Sequence, residues 1–312
     1  MLAWLFPGQG AQAVGMGKDV FDASPAAREV LARADEALGE KLSRTILEGP
    51  EDVLTMTANA QPAIVTVSVA ILAAMHELHP ELPEPSFAAG HSLGEWSALV
   101  AAGALSLEDA VRLVRARGQA MQDAVPPGVG AMAAIMGVEP ARIVAICAEA
   151  AEGQVCSPAN FNAPGQIVIA GHAAAVERAG AIAAKEKGKA IPLKVSAPFH
   201  CALMAPAAKV VEEKLAAVLV KPSRFPVVAN FDAAPNSDPE RTKTLLVRQV
   251  DGTVRWEESV RFIHAQGVKR ALEIGPGKVL AGLVRRAAKD LKVHSVESVA
   301  ALDQVGSFLG GE

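Results

Sequence analysis

Residues 86–105 read "SFAAGHSLGEWSALVAAGAL". The first part, "SFAAGHS", is short and apolar, as a buried strand is. The second, "LGEWSALVAAGAL", has helical character and begins immediately after the serine. Gly90-His91-Ser92-Leu93-Gly94 spans the junction as G-x-S-x-G. A serine at a sharp strand-to-helix turn is forced into a strained conformation with its hydroxyl projecting, and the flanking glycines remove side chains that would collide there. The backbone N–H of Leu93 then lies at a helix N-terminus, where it can stabilise an oxyanion. A turn of this kind belongs at the carboxyl end of a strand in a parallel α/β sheet, so the segment predicts the fold class as well as a nucleophile.

The pattern holds outward from the serine. "LAWLF" (2–6) is a strand leading into the glycine-rich loop "PGQGAQAVGMG". "SPAAREVLARADEAL" (24–38) opens on a serine N-cap followed by proline, a helix start. "NAQPAIVTVSVAILAAMHEL" (59–78) is apolar nearly all round and reads as a buried helix. "SLEDAVRLVRARGQAMQDA" (106–124) is amphipathic. After the break "VPPGVG" the rhythm changes to strand 131–138, helix 140–151, strands 153–162 and 165–171, helix 173–188 and strand 189–196. This β-α-β-β-α-β order is the split βαβ, ferredoxin-like unit. We therefore expect two domains: a larger α/β-hydrolase-like domain with a parallel sheet, residues 1–127 and 197–312, and a ferredoxin-like α+β small domain, 128–196, inserted into it. The larger domain resumes with helix "APAAKVVEEKLAAVL", strand "PVVAN", a helix around "TLLVRQV", helix "WEESVRFIHAQG", strand "RALEIG" and helix "GKVLAGLVRRAAK".

Composition narrows the function classes. The 312 residues are 51% hydrophobic, enough for a substantial core, and carry a net charge of -4, which argues against a general nucleic-acid binder. Three cysteines are too few for a disulfide framework, and Cys147, Cys156 and Cys201 have no metal-ligand spacing; a cytoplasmic setting is expected. "MLAWLFPGQG" lacks a basic leader region and breaks at Pro7, so it does not read as a signal peptide. The longest apolar run, 63–75, is shorter than the roughly 20 residues a bilayer requires, so no membrane association is expected.

Two further features bear on the serine. His91 is adjacent to it, but neighbouring side chains diverge at such a turn, so His91 is read as structural. His76 and His79 share a helix at i, i+3 without an acidic or thiol ligand, and are read as an exposed helix end. His172, His264 and His294 lie among surface-type residues. His200, in "VSAPFHCALM", stands where the chain returns from the small domain, and a domain junction is a common place for a site. The loop "GQGAQA" also fits G-x-G-x-x-A, a dinucleotide-binding variant, but the pattern after it stays helical where a second strand ending in an acid is required.

Taken together, "FPGQGAQ", "GHSLGEW", "RGQAMQ", "APFHCALM", "NFNAPGQIVIAG" and "EIGPGKVL" resemble the malonyl-CoA:acyl carrier protein transacylases of fatty acid synthesis, in order and over nearly the whole chain. The resemblance implies a two-step transfer of malonyl from malonyl-CoA to the phosphopantetheine thiol of holo acyl carrier protein through a malonyl-serine, with no cofactor or metal. It implies Ser92 as nucleophile, His200 as base, and the backbone carbonyl of Gln249 as the group orienting the imidazole. Gln9 and Leu93 would supply oxyanion N–H groups, and Arg117 would hold the malonyl carboxylate. Phe199 before the histidine and Leu93 after the serine match the pattern that goes with malonyl rather than methylmalonyl.

Carrier proteins of this pathway are acidic. A docking patch is therefore expected at Lys278, Arg285, Arg286 and Lys289, joined by Lys187 and Lys189 from the small domain. Two rival readings remain open on sequence. One is a serine hydrolase or thioesterase sharing the G-x-S-x-G turn, which would need a triad acid. The other is a nucleotide-binding module built on "GQGAQA".

Overall fold

In the computed structural model of the chain, residues 1–310 are described. The central sheet contains six strands: β1 (Leu2–Phe6), β2 (Phe87–Gly90), β7 (Val227–Val228), β8 (Pro235–Asn236), β9 (Arg270–Ile274) and β10 (Lys292–Val296). The remaining four, β3 (Gly130–Met136), β4 (Cys156–Ala163), β5 (Gln166–His172) and β6 (Lys189–Pro192), form a second sheet. The order in the first is β10-β9-β1-β2-β7-β8, with every pair from β10 to β7 parallel. The sheet is not wholly parallel as expected: β8 returns antiparallel against β7, because only six residues separate the two and a parallel return needs a longer crossover. Strand β10 is a further difference. "KVHSV" is half-buried at the sheet edge, too weakly patterned to read as a strand.

Register places the site. Phe6 pairs with Gly90, so the loop after β1 and the turn after β2 leave the sheet side by side at its carboxyl edge. Ligands of open α/β sheets bind at that edge. The helix Thr57–Leu78 runs through the core. It is long and apolar enough to cross a membrane, yet 83% of its apolar window is buried in the protein. Ile64, Ile71 and Met75 are fully buried on it, each contributing about 1.5–3 kcal/mol of burial.

Between Gly130 and Pro192 the chain forms β3, a helix (Pro140–Ala151), β4, β5, a helix (Ala173–Lys185) and β6. Its sheet is antiparallel, in the order β4-β5-β3-β6. It has its own core, including Ile135, Ile143, Ile146, Ile167, Ile169 and Val176. Strand β4 lies against the segment that leads into the helix Trp256–Ala265, where Phe161 donates its N–H to Val254 O and Val254 donates to Ala159 O, both at 2.9 Å.

Candidate active site

The serine turn is built on two glycines that tolerate no side chain. A Cβ on Gly90 would lie 2.0 Å from the Gly94 carbonyl carbon, and one on Gly94 would lie 2.0 Å from the Phe6 carbonyl oxygen. Between them Ser92 takes φ 48°, the left-handed region, which a non-glycine residue holds only when its surroundings impose it. The imposition is visible. Asn230, fully buried at the end of β7, accepts from the Ser92 N–H at 2.6 Å and donates its amide to Gly90 O at 2.8 Å, bridging the turn.

Ser92 Oγ lies 2.8 Å from His200 Nε2. His200 Nδ1 is 2.8 Å from the Gln249 carbonyl oxygen. A carbonyl only accepts, so Nδ1 carries the proton and Nε2 presents its lone pair to the hydroxyl. Burial, followed by the Arg117 cation, pushes the imidazole down to about 3, against the support of the Gln249 carbonyl. His200 is therefore neutral and ready to accept a proton across the physiological range. At limiting malonyl-CoA, kcat/KM for serine acylation is expected to stay level from pH 8 down to about pH 5, below the ordinary histidine range. An acid limb near pH 6.5 in that profile would contradict a depressed His200.

Arg117 is the third member of the cluster. It is 1% exposed and sits on the helix Leu107–Asp123. One terminal nitrogen donates to Ser92 Oγ at 3.1 Å and to Gln249 Oε1 at 3.0 Å, and the other donates to Gln61 Oε1 at 2.8 Å. Its Nε has no partner, and no carboxylate pairs directly with the guanidinium among the described residues. Burial lowers it to about 10, which leaves it charged at neutral pH. A buried cation supplied only with neutral acceptors is a site prepared for an anion.

These groups open into a cleft of about 340 Å³ between the two sheets, bordered by Gln9, Leu93, Met121, Met132, Val168 and Phe199 among others. The Gln9 side chain is pinned by a 3.2 Å bond to Thr57 Oγ1. Leu93 precedes the helix Gly94–Ala101, whose first N–H groups, of Gly94 and Glu95, are already taken by His91 O and Ser92 O at 2.9 and 3.1 Å. Thus Ser92, His200, Gln249, Arg117, Gln9, Leu93 and Phe199 are brought to one place from five separated stretches of the chain. His91 is not part of the relay: its Nε2 lies 2.7 Å from Asn162 Oδ1 and its ring packs edge-on against Trp256.

Other sequence expectations are corrected. His172, His264 and His294 are half-buried and each bonds a backbone group, so they are not free surface residues. The expected basic patch is not one surface. The helix Val279–Ala287 meets the small domain on its β4 side, whereas Lys187 and Lys189 lie by β6, the opposite edge of that sheet. Arg286 is spent on the domain junction, donating to Pro164 O at 2.7 Å and to the Gln166 side chain, and Lys278 pairs with Glu297 at 2.8 Å. Arg285 and Lys289 border a surface groove with Lys278 and Lys292. Three site residues escaped the sequence reading: Gln61, Asn230 and Glu95. Glu95 alone left a signal, as the sole charge in an otherwise apolar helix.

The family model for the acyl transferase domain matches residues 3–307. The chain belongs to the acyl transferase family. Within that family it is 48% identical over 302 residues to the malonyl CoA-acyl carrier protein transacylase of Salmonella typhimurium, covering 96% of this chain and 97% of that one. Among solved structures, an acyl carrier protein S-malonyltransferase from Vibrio cholerae superposes with a TM-score of 0.95 at 46% identity, over 97% of this chain and 99% of that one. A malonyl-transacylase solved in complex with a type II PKS acyl-carrier protein superposes with a TM-score of 0.94 at 45% identity, over 97% of this chain and 98% of that one. As an acyl transferase the chain is an enzyme, and the serine of its G-x-S-x-G turn lines the cleft.

Proposed function

We propose that this acyltransferase moves a malonyl group from malonyl-CoA to the phosphopantetheine thiol of acyl carrier protein, supplying extender units for fatty acid synthesis. The observation that carries the substrate choice is the buried Arg117 guanidinium, without a carboxylate partner, 3.1 Å from the nucleophilic oxygen. Malonyl differs from acetyl by one carboxylate, and a guanidinium fork binds a carboxylate through charge and two directed bonds.

The chemistry follows from the bonds around Ser92. Its O–H donates to His200 Nε2. As Oγ attacks the thioester carbon, that proton passes to Nε2, and the negative charge grows on the thioester oxygen beside the N–H groups of Gln9 and Leu93. Each such donor is worth about 3–4 kcal/mol of barrier in comparable sites. Collapse expels the CoA thiolate, which takes the proton from His200 and leaves malonyl-serine. The carrier thiol then gives its proton to the same nitrogen, attacks the ester carbon, and Ser92 Oγ leaves with the proton. Two half-reactions through one covalent intermediate give ping-pong kinetics. In this scheme no cofactor or metal takes part. Phe199 and Leu93 border the acyl pocket, where an α-methyl group would crowd them.

The carrier protein is read as a transient partner, docking through local cations at Lys278, Arg285 and Lys289. The division into residues 1–127 with 197–312 and residues 128–196 is proposed as the domain boundary, and the cytoplasm as the compartment. The decisive test of the transfer is intact mass after mixing with malonyl-CoA. A malonyl adduct is expected on the unmutated protein, discharged by holo carrier protein and missing in Ser92→Ala. Fast release of free malonate that ignores the carrier protein would instead identify a hydrolase.

A further inference from the structure

We propose that Glu95 is a positioning residue for this transfer: through Asn230 and Gln249 it ties the serine turn, the buried guanidinium and the base into one hydrogen-bonded unit. The inference rests on the malonyl-transfer reading.

Glu95 is 2% exposed, one helical turn beyond Ser92, on a helix whose other side chains are apolar or small. A carboxyl in that setting is costly unless its oxygens are used. One oxygen accepts twice, from the Asn230 N–H at 2.9 Å and from Gln249 Nε2 at 2.7 Å. Neither partner is idle packing. Asn230 carries the bonds that bridge Gly90 and Ser92. Gln249 touches the nucleophile, the cation and the base: Nε2 also donates to Ser92 O at 2.9 Å, Oε1 accepts from Arg117, and its backbone carbonyl accepts from His200.

The role of Glu95 follows from the asymmetry of a carboxamide, which has one accepting end and one donating end. A guanidinium only donates, so Gln249 must turn its oxygen toward Arg117. It does so because its nitrogen is held on the other side by two acceptors, Glu95 and Ser92 O. Without Glu95 the amide loses the stronger of them, and a flipped amide would face Arg117 donor to donor. Burial pushes the Glu95 carboxyl up to about 7, against the bonds it accepts from Asn230 and Gln249. Glu95 thereby fixes how Arg117 is presented to an incoming carboxylate without touching the substrate.

The test compares Glu95→Leu, Glu95→Gln and Gln249→Leu with the unmutated protein. Serine acylation by malonyl-CoA and by acetyl-CoA is followed for each, alongside the thermal midpoint. Glu95→Leu fills the volume but accepts no bond. Its kcat/KM for malonyl-CoA is expected to fall about 100-fold, the scale of a misplaced catalytic group, and its malonyl-to-acetyl ratio about tenfold. Glu95→Gln restores an accepting oxygen and is expected to recover most of that ratio. Gln249→Leu keeps the backbone acceptor of His200, and its ratio is expected to fall as in Glu95→Leu. A purely structural Glu95 would lower the midpoint and leave the ratio, corrected for active sites, unchanged; that result overturns the proposal. If Glu95→Leu does not fold, an unchanged ratio in Gln249→Leu overturns it equally. Failure of the unmutated protein to form malonyl-serine would sink the transfer reading itself, whereas normal acylation with unchanged variant ratios would sink only the role of Glu95.

Discussion

Replacing Arg117 with alanine is expected to lower kcat/KM for malonyl-CoA by about 1,000-fold and to leave acetyl-CoA within about tenfold of the unmutated protein. Removing one partner of a buried ion pair typically costs about 3–5 kcal/mol, because the remaining charge stays buried and unpaired. In the variant that charge is the malonyl carboxylate. In the unmutated protein with acetyl-CoA it is the guanidinium, whose acceptors are two carboxamides and the serine oxygen. The same substitution removes the second-largest cause of the low His200 value, so the acid limb of the residual activity should move up toward the ordinary histidine range. Steady-state acylation with both thioesters across pH checks both effects. Equal losses for malonyl and acetyl would show that Arg117 supports the turn rather than the carboxylate.

His200→Ala is expected to be more severe, with malonyl transfer falling by about 1,000,000-fold, the scale seen when a nucleophile–base unit loses its base. Ser92 would keep its strained turn and its Arg117 contact, but among the described residues no other acceptor within 3 Å would take its proton. Burst-phase measurement of malonyl-serine formation reads this directly, since the loss should fall on both half-reactions. The acceptor on the other side of the imidazole is the main chain of Gln249, so no side-chain substitution there removes it. A hydrolase triad would instead hold a carboxylate at that position. Retention of more than about one-hundredth of the activity in His200→Ala would require another base.

Much of this architecture was legible because it is written locally. The first glycine of the G-x-S-x-G turn is demanded locally, since Gly90 meets Gly94 only four residues away, whereas Gly94 is demanded by Phe6 of the neighbouring strand. The helix at 24–38 announces itself by Ser24 and Pro25, and its serine does accept from the Ala27 N–H. The small domain is legible from its alternating strands and helices, since each hydrophobic face is spelled out at its own period. The antiparallel β8 and the edge strand β10 were not. Pro235–Asn236 is a two-residue strand held by β7, too short to carry a pattern of its own, and Lys292–Val296 is half-buried along its length at the sheet edge.

The sequence by itself determined the turn at Ser92, the order of the longer helices and strands and, through six separated motifs, the family resemblance. Only the tertiary structure decided what each polar group does. Ser92 and His200 are 108 residues apart, and Arg117 and Gln249 are separated by 132. Their bonds depend on parallel strands setting the serine turn beside the loop after β1 and on the return from the small domain. The same packing sends His91 away to Asn162, splits the expected basic patch and buries Glu95 behind the nucleophile. Directed bonds between groups far apart in the chain have no period and no local propensity, so they exist only once the backbone has been brought together.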